Sequence, residues 1–448
     1  MTPPAPSKSN SPTPIYREFG EGRTWRIFRV MAELVEGYTF LASIARAVTV
    51  FGSARTLPTS WYYQEAQKLG RLLAKGKFST VTGGGPGIME AANKGAYEGG
   101  GESIGINIQL PREQRINPYV KKAVGFYYFF TRKVILTAPS QAFVFFPGGF
   151  GTLDEFFEVL DLIRSERMMR VPLIMVDRKF WQPLLEFLRH NAYQKIHALR
   201  EEDLTLFHIV DTAEEVYEIV HRTKERPRCE ISPEAFCDGD EVNWRVFRIM
   251  AELVEGYQFL QNVKNPVTVI GTAHIKLQSR FYSDAYRICK ELGRRGKTII
   301  TGGGPGIMEA ANKGATHAGA ESLGLDISVD HKERINPFVR RSISFHYTFV
   351  RKYMLSSPSL GFILFPGGYG TLTECFEVLT LMQTKKMERI PVLLYGREFW
   401  QPLFDFIQKN VFEREAAVAP EDMSLFKIID TPEAAVKEML AAKRRSYF

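Results

Sequence analysis

The stretch TGGGPGIMEAANKGA at residues 82–96 recurs without one substitution at residues 301–315. Gly83, Gly84, Gly85 and Gly87 follow the β-rich run STVT and lead into the helical run IMEAANKGA. Glycines at a strand-to-helix turn let the backbone approach a ligand closely, and the free N–H groups at the helix start favour an anion. A tight turn needing positive φ angles would also select glycine, although such a turn rarely needs four.

The two copies lie 219 residues apart, and the same offset relates Trp25 to Trp244, Arg132 to Arg351, Pro147 to Pro366, Trp181 to Trp400 and Asp211 to Asp430. A constant offset over that span means duplication of a whole domain rather than of a short solenoid unit. The expected layout is a disordered Pro/Ser-rich tail over 1–22, one domain over 23–221, a charged linker over 222–240 and a second domain over 241–448. Each half opens with an amphipathic helix, on which Ile27, Phe28, Met31, Leu34, Val35, Tyr38 and Leu41 fall at helical spacing. The runs AVTVFGSA, FSTVTGG, SIGINI, AFVFFPGG, VPLIMV and LFHIV then alternate with helical segments. That alternation predicts an α/β fold of two tandem Rossmann-like, doubly wound parallel-sheet domains, each with an added N-terminal helix. Ligands of such sheets bind beyond the carboxyl ends of the strands, where the glycine stretch sits.

Composition agrees with this class. A hydrophobic content of 45%, a charged content of 24% and 36 glycines in 448 residues describe a globular α/β chain with enough apolar side chains for two cores. The apolar runs are strand-sized, so no membrane span is expected, and the N-terminus lacks an apolar signal core, which makes the cytoplasm the expected location. The net charge of +8 is spread along the chain rather than gathered in an arm, which argues against nucleic acid and leaves a mild bias toward small anions. Cys229, Cys237, Cys289 and Cys375 form no CxxC pair and do not recur between halves, so neither a metal site nor a disulfide framework is indicated.

A second glycine loop, FPGGFGTLDE at 146–155, returns as FPGGYGTLTE at 365–374. Gly148, Gly149 and Gly151 end a strand, and Thr152 can cap the next helix and offer a hydroxyl. Glu155 lies one turn inside that helix. It can close a capping box with Thr152 or face a ligand held by the loop amides. Neither loop contains GK[ST], which excludes a Walker A nucleotide triphosphatase, and Gly83-x-Gly85-x-Gly87 is not a dinucleotide fingerprint. A monophosphate fits better. Between the loops, FYYFFTRKVIL carries Arg132 and Lys133, repeated as Arg351 and Lys352 in FHYTFVRKYML. Adjacent cations in an aromatic helix must reach water or meet an anion, and their recurrence in register with both loops points to a pocket.

GGGxxGIM, then RK, then PGGxGTxxE resembles the LOG ("Lonely guy") family of cytokinin riboside 5′-monophosphate phosphoribohydrolases, whose members are often described as lysine decarboxylases. The similarity covers nearly all of each half from Trp25 and Trp244 onward. It implies hydrolysis of the N-glycosidic bond of an adenosine-type 5′-monophosphate to free base and ribose 5-phosphate, without cofactor. It also implies catalytic roles for Arg132 and Glu155, with Arg351 and Glu374 in the second half. Substrate binding would fall to Gly84, Gly85, Glu113, Lys133, Gly149, Gly151 and Thr152, and to Gly303, Gly304, Lys352, Gly368, Gly370, Thr371 and Thr380. Family members assemble with sites near subunit interfaces, so the tandem chain is expected to form a pseudo-dimer within itself, which can in turn build a larger homo-oligomer.

The halves depart from the pattern differently. Glu113 is replaced at the matching offset by Lys332, Arg55 by His274, and the family threonine, kept as Thr380, stands as Asp161 in the first half. Each half thus lacks something different, with the better base pocket expected in the first. Three functions follow: a phosphoribohydrolase for N6-modified adenosine monophosphates or AMP, a broader purine or pyrimidine monophosphate nucleosidase, and a non-catalytic carrier or sensor similar to molybdenum cofactor carriers. Both Arg–Lys pairs and both glutamates favour catalysis. No motif supplies the Schiff-base lysine of a pyridoxal-phosphate decarboxylase.

Overall fold

The computed structural model describes residues 23–109, 116–224, 241–328 and 335–442. The first half contains strands β1 (Ala47–Phe51), β2 (Ser79–Thr82), β3 (Ser103–Ile108), β4 (Lys122–Phe126), β5 (Ser140–Phe145), β6 (Leu173–Val176) and β7 (His208–Val210). Its helices are α1 (Arg23–Leu41), α2 (Trp61–Lys75), α3 (Ile88–Glu98), α4 (Phe129–Thr137), α5 (Phe150–Arg164), α6 (Arg178–Phe187) and α7 (Ala213–His221). The second half repeats the series with strands β8 (Pro266–Ile270), β9 (Thr298–Thr301), β10 (Ser322–Ile327), β11 (Arg341–Phe345), β12 (Phe362–Leu364), β13 (Val392–Tyr395) and β14 (Lys427–Ile429). Helices α8 (Glu241–Leu260), α9 (Arg280–Arg294), α10 (Ile307–His317), α11 (Thr348–Ser356), α12 (Tyr369–Gln383), α13 (Arg397–Phe406) and α14 (Pro432–Ala441) complete it.

Each half is one parallel seven-stranded sheet, in the order β4-β3-β2-β1-β5-β6-β7 and its equivalent. The order reverses between β1 and β5, so the crevice at their carboxyl ends is the topological switch point. Residues 52–55 after β1, the first glycine loop after β2 and the second after β5 all open there. The central strands are apolar on both faces because helices cover both, as AVTVF and SQAFVF show by being buried at every position. The edge strand β4 went unread in the sequence. Its KAVGF is half exposed and runs straight into the aromatic start of α4, so no apolar run marks it.

One face of each sheet, under α2, α3 and α7 or their equivalents, encloses a core whose buried residues all come from that half, including Val48, Leu69 and Val216 or Val269, Leu292 and Ala435, with the partly buried Ile196 of the first half packed against the second. The opposite faces share a single core built from both halves. There α5 lies against α12, and Phe157 stacks on Phe376 with centroids 5.5 Å apart and planes 5° apart. The arrangement is a pseudo-two-fold. Arg167 Nη1 donates to the His346 carbonyl at 3.1 Å, and Lys386 Nζ returns the contact to the Tyr127 carbonyl at 2.8 Å, each pair related by the repeat offset. One self-complementary surface used twice is how a two-fold dimer closes, here within one chain.

The leading helix departs from its expected face. Ile27, Leu34, Tyr38 and Leu41 are buried, but Phe28 and Val35 point outward, 48% and 42% exposed. It carries instead a buried carboxylate, Glu33, which accepts from the Tyr127 and Tyr128 amides and the Thr131 hydroxyl. Since α4 has no side-chain cap of its own, Glu33 satisfies the donors at its start. Glu252 does the same for α11 through the His346 and Tyr347 amides. The added helix thereby fixes the segment that bears Arg132 or Arg351.

Of the boundaries expected from the sequence, residues 1–22 and most of the linker, 225–240, lie outside the described residues.

Candidate functional site at the interface of the halves

The first glycine loop owes its sequence to packing as much as to any ligand. Gly84 has φ +72° and its Cα faces Gly105, so that a Cβ would lie 3.3 Å from the Gly105 backbone. Gly87, with φ +69°, abuts the Ser53 carbonyl. The loop is held by a buried polar network. Thr82 Oγ1 donates to Asn93 Oδ1 and accepts from the Gly84 amide, while Asn117 Nδ2 reaches the Gly84 and Gly85 carbonyls and Asn93 Oδ1 at 3.0–3.1 Å. Thr301, Asn312 and Asn336 repeat every one of these bonds around Gly303 and Gly304. A buried network tolerates no partial loss, which accounts for much of the identity between the copies. The bland reading therefore explains the glycines at 84 and 303. The loop meets the site through its first glycine, since Gly83 and Gly302 border the guanidinium groups of Arg132 and Arg351, and Gly302 rather than Gly303 or Gly304 lines the second-half pocket.

The second loop corrects one expectation, the Thr152 cap, and closes one alternative, the Glu155 capping box. The cap of α5 is Gly149, with no side-chain cap bond, and Thr152 lies inside the helix with its hydroxyl folded against Gly148. Glu155 makes no capping box either. It is 2% exposed, and its Oε1 accepts from Arg132 Nη2 at 3.2 Å. Its Oε2, the Nε of Arg132 and the hydroxyl of Thr380 are buried without hydrogen-bond partners. Three such atoms are costly unless a ligand completes them. Burial raises the Glu155 carboxyl to about 7, against the pull of Lys133 and Arg132. Burial likewise raises Glu374 to about 7, with Glu377 adding to it and Lys352 and Arg351 opposing it.

Thr380 reaches this site from the other half. Its methyl group lies 3.8 Å from where a Cβ on Gly151 would stand, whereas Asp161 of the first half faces Gly370, with Oδ1 3.4 Å from the equivalent point. The departures noted in the sequence therefore regroup. Counted by half they were shared; counted by site, the first-half loop keeps both Arg55 and the threonine, and the second-half loop has both His274 and Asp161. Glu113, and Lys332 opposite it, lie outside the described residues. Gly149 and Gly368 also look across the interface, toward the Ala417 and Ala198 carbonyls, which a Cβ would approach to 2.6 and 2.8 Å. Glycine there is demanded by docking of the halves.

The second-half pocket, of about 200 Å³, is lined by Arg351, Lys352, Gly368, Gly370, Thr371, Glu374 and His274, with Asp161 and Arg164 contributed by the first half. Its arginine is turned differently. Arg351 Nε donates to the Leu325 carbonyl at 2.8 Å, and Nη1 stays 4.0 Å from Glu374 Oε1. Burial raises Asp161, opposed by Lys352, Arg164 and Arg351.

Lys133 and Lys352, read as pocket cations, have their ammonium groups paired with carboxylates, although Lys352 also lines the second-half pocket. Lys133 Nζ pairs with Asp154 at 2.9 Å and Glu158 at 2.5 Å, and Lys352 Nζ with the same Glu158 at 3.0 Å and Glu377 at 3.2 Å. Burial works against both ammonium groups, but the carboxylates outweigh it and hold both above the usual lysine range. Glu158, drawn down to about 2 by the two lysines in spite of its burial, joins the halves at their centre. Sequence reading missed Glu158, Asn117 and Glu33; only their recurrence as Glu377, Asn336 and Glu252 could have flagged them.

Residues 89–220 and 308–439, more than half of the chain, match the family model described as "Possible lysine decarboxylase", once in each half. The chain belongs to this family, the LOG family, in tandem form. A cytokinin riboside 5′-monophosphate phosphoribohydrolase of Rhodococcoides fascians is 28% identical over 155 residues, 33% of this chain and 77% of the relative. The pyrimidine/purine nucleotide 5′-monophosphate nucleosidase of Escherichia coli K12 is 24% identical over 268 residues, covering 57% of this chain and 54% of its own length. Among solved structures, the molybdenum cofactor binding protein of Rippkaea orientalis aligns at 24% identity and a TM-score of 0.30, over 39% of this chain and 93% of its own. Among the described residues of this LOG-family chain, no helix is long and apolar enough to cross a membrane.

Proposed function

We propose that the chain hydrolyses the N-glycosidic bond of nucleoside 5′-monophosphates of the adenosine type, N6-modified ones included, to free base and ribose 5-phosphate. The observation that carries this reading is the buried Arg132–Glu155 pair, left with unsatisfied polar atoms, together with the buried, unpartnered hydroxyl of Thr380, whose side chain borders the Gly151 loop from the other half. The Gly151 loop and the start of α5 suit the phosphate, with Thr152 and Thr380 as hydroxyl donors. Binding energy from this unreactive group positions the ribose. As the C1′–N bond breaks, positive charge develops on the ribose, and the Glu155 carboxylate stabilises it and takes a proton from the water that adds to C1′. The base leaves with the bond's electron pair and acquires a proton. Arg132 is too basic to donate that proton, and its task is to hold Glu155 and the developing negative charge.

The Rhodococcoides and Escherichia relatives are named for action on nucleoside or nucleotide 5′-monophosphates, which supports the class; the base is the finer part of the proposal. A decarboxylase reading finds no support in the lysines. A Schiff-base lysine needs a lowered pKa, and the buried Lys133 and Lys352 are shifted upward by their carboxylates.

The test is release of base and ribose 5-phosphate from a panel of purine and pyrimidine monophosphates, AMP and isopentenyladenosine monophosphate included. Release from the adenosine class supports the proposal. Binding without release from any of them leaves a carrier. The pH profile is a second check. Because Glu155 acts as the carboxylate, kcat/KM should fall as pH drops through about 7; an acid limb near the ordinary glutamate value, about 4.3, would contradict the upward shift, and the absence of any acid limb would contradict its role.

A further inference from the structure

Next to the second-half pocket lies a cleft of about 540 Å³ between the π-helical segment Leu188–Lys195 of the first half and residues 274–279 of the second. His274 lines both spaces. The floor is apolar, with Phe281 and Phe399, and the rim carries Lys195, His197, His274 and Lys276 against the single carboxylate of Glu398. Neither Lys195 nor Lys276 pairs with a carboxylate among the described residues.

The pseudo-symmetric position is tied shut. There Tyr62 donates to Asp177 at 2.6 Å and to Glu415 at 3.3 Å, and Arg414 donates to Tyr62 at 2.7 Å and Asp177 at 2.9 Å, so the four side chains staple one half to the other. Their equivalents at the cleft are Phe281, Gly396, Ile196 and Lys195. Three of those cannot make such bonds, and the fourth is left as a free cation. Meanwhile Gly151, which faces the Thr380 side chain through its methyl group in the first site, corresponds to Gly370 in the second, which faces the Asp161 carboxylate, where a phosphate dianion would meet a like charge. Arg164, the added cation nearby, is already engaged by Asp203 at 3.0 Å.

We infer that the two sites are not copies: the second takes an organic phosphate the other way round, its phosphate in the outer cleft at Lys195 and Lys276 and its hydroxyl donors toward Asp161. This rests on the reading of the first site as a monophosphate hydrolase. With the phosphate moved outward, the ribose is no longer anchored against Glu374, and Arg351 is turned to Leu325, so the bound molecule is retained rather than hydrolysed. The second half is then a sensing site for the substrate or product class of the first.

The experiment is calorimetric titration of AMP and of ribose 5-phosphate into the full chain carrying Glu155→Gln, which prevents turnover in the first half. Two binding events per chain are expected, one of them weakened at least about tenfold by Lys195→Ala with Lys276→Ala, the other unchanged. Charge reversal at Lys276→Glu should act in the same direction. A single event per chain, or two events that the double variant leaves within about twofold, overturns the inference. Binding is read without turnover, so absence of base release from the wild-type chain would sink the hydrolase reading while leaving this result to stand or fall by itself.

Discussion

Glu155→Gln should lower kcat for base release by about 10³-fold and leave KM within about threefold, whereas Glu374→Gln should change kcat by less than about twofold. The substitution keeps shape and an acceptor for Arg132 Nη2, so binding of the monophosphate by the loop persists. What disappears is the negative charge beside C1′ and the group that takes the proton from water. In a site where Glu155 is 2% exposed, that charge acts through a weak dielectric and is worth several kcal/mol in the transition state. Glu374 is buried too, at 6% exposed, and raised to the same value, so burial alone does not separate the two. The difference lies in their neighbours. Arg132 holds Glu155 at 3.2 Å, while Arg351 stands 4.0 Å from Glu374 and is bonded to a backbone carbonyl. Thr380 also completes the first site, and Asp161 intrudes on the second. Equal loss of turnover from the two variants, measured as initial rates of base release, would show that both sites work and that these neighbours do not decide.

The fold was legible because its signals are local. Apolar runs of strand length stopping at glycine, separated by helical periods, require no knowledge of partners, and they yielded six of the seven strands of each half. The edge strand β4 gives no such signal, since half of KAVGF faces solvent. Phe28 and Val35 fit the helical period of α1 yet lie on its outer side, because periodicity marks a stripe without fixing its width. Arg132 and Glu155 could be found from motif spacing, as both belong to one half. Thr380 and Asp161 could be found but not placed. Which half each serves depends on the pseudo-two-fold, and a sequence offset carries no information about what crosses it. The ion pairs of the lysines were hidden for a related reason: their partners Asp154, Glu158 and Glu377 sit on helices from both halves, and a cation in an apolar helix looks the same from sequence whether it meets substrate or a carboxylate across an interface.

That interface supplies the largest stability effect expected. Glu158→Gln should destabilise the chain by about 3–5 kcal/mol, because it leaves the buried ammonium groups of Lys133 and Lys352 sharing too little negative charge. Among the described residues Glu158 alone bridges them, at 2.5 and 3.0 Å, and its carboxyl is drawn down to about 2 by their combined field. Asp154→Thr should cost less, since the pseudo-symmetric position is already Thr373, whose hydroxyl bonds to the Tyr369 carbonyl within its own helix. Lys352 lives with the Glu158 and Glu377 carboxylates alone, without a counterpart of Asp154. The check is the denaturant midpoint of each variant at constant slope, followed by fluorescence of the shared core and by circular dichroism of the sheets. A midpoint for Glu158→Gln within error of wild type would mean that water, or loss of a proton from one of the two lysines, compensates for the missing bridge. If the shared core is lost before the private cores, the two probes will separate, because each half keeps its own core under α2, α3 and α7 or their equivalents. Turnover should then vanish with the first of the two transitions, since the hydrolytic site depends on Thr380 crossing from the other half.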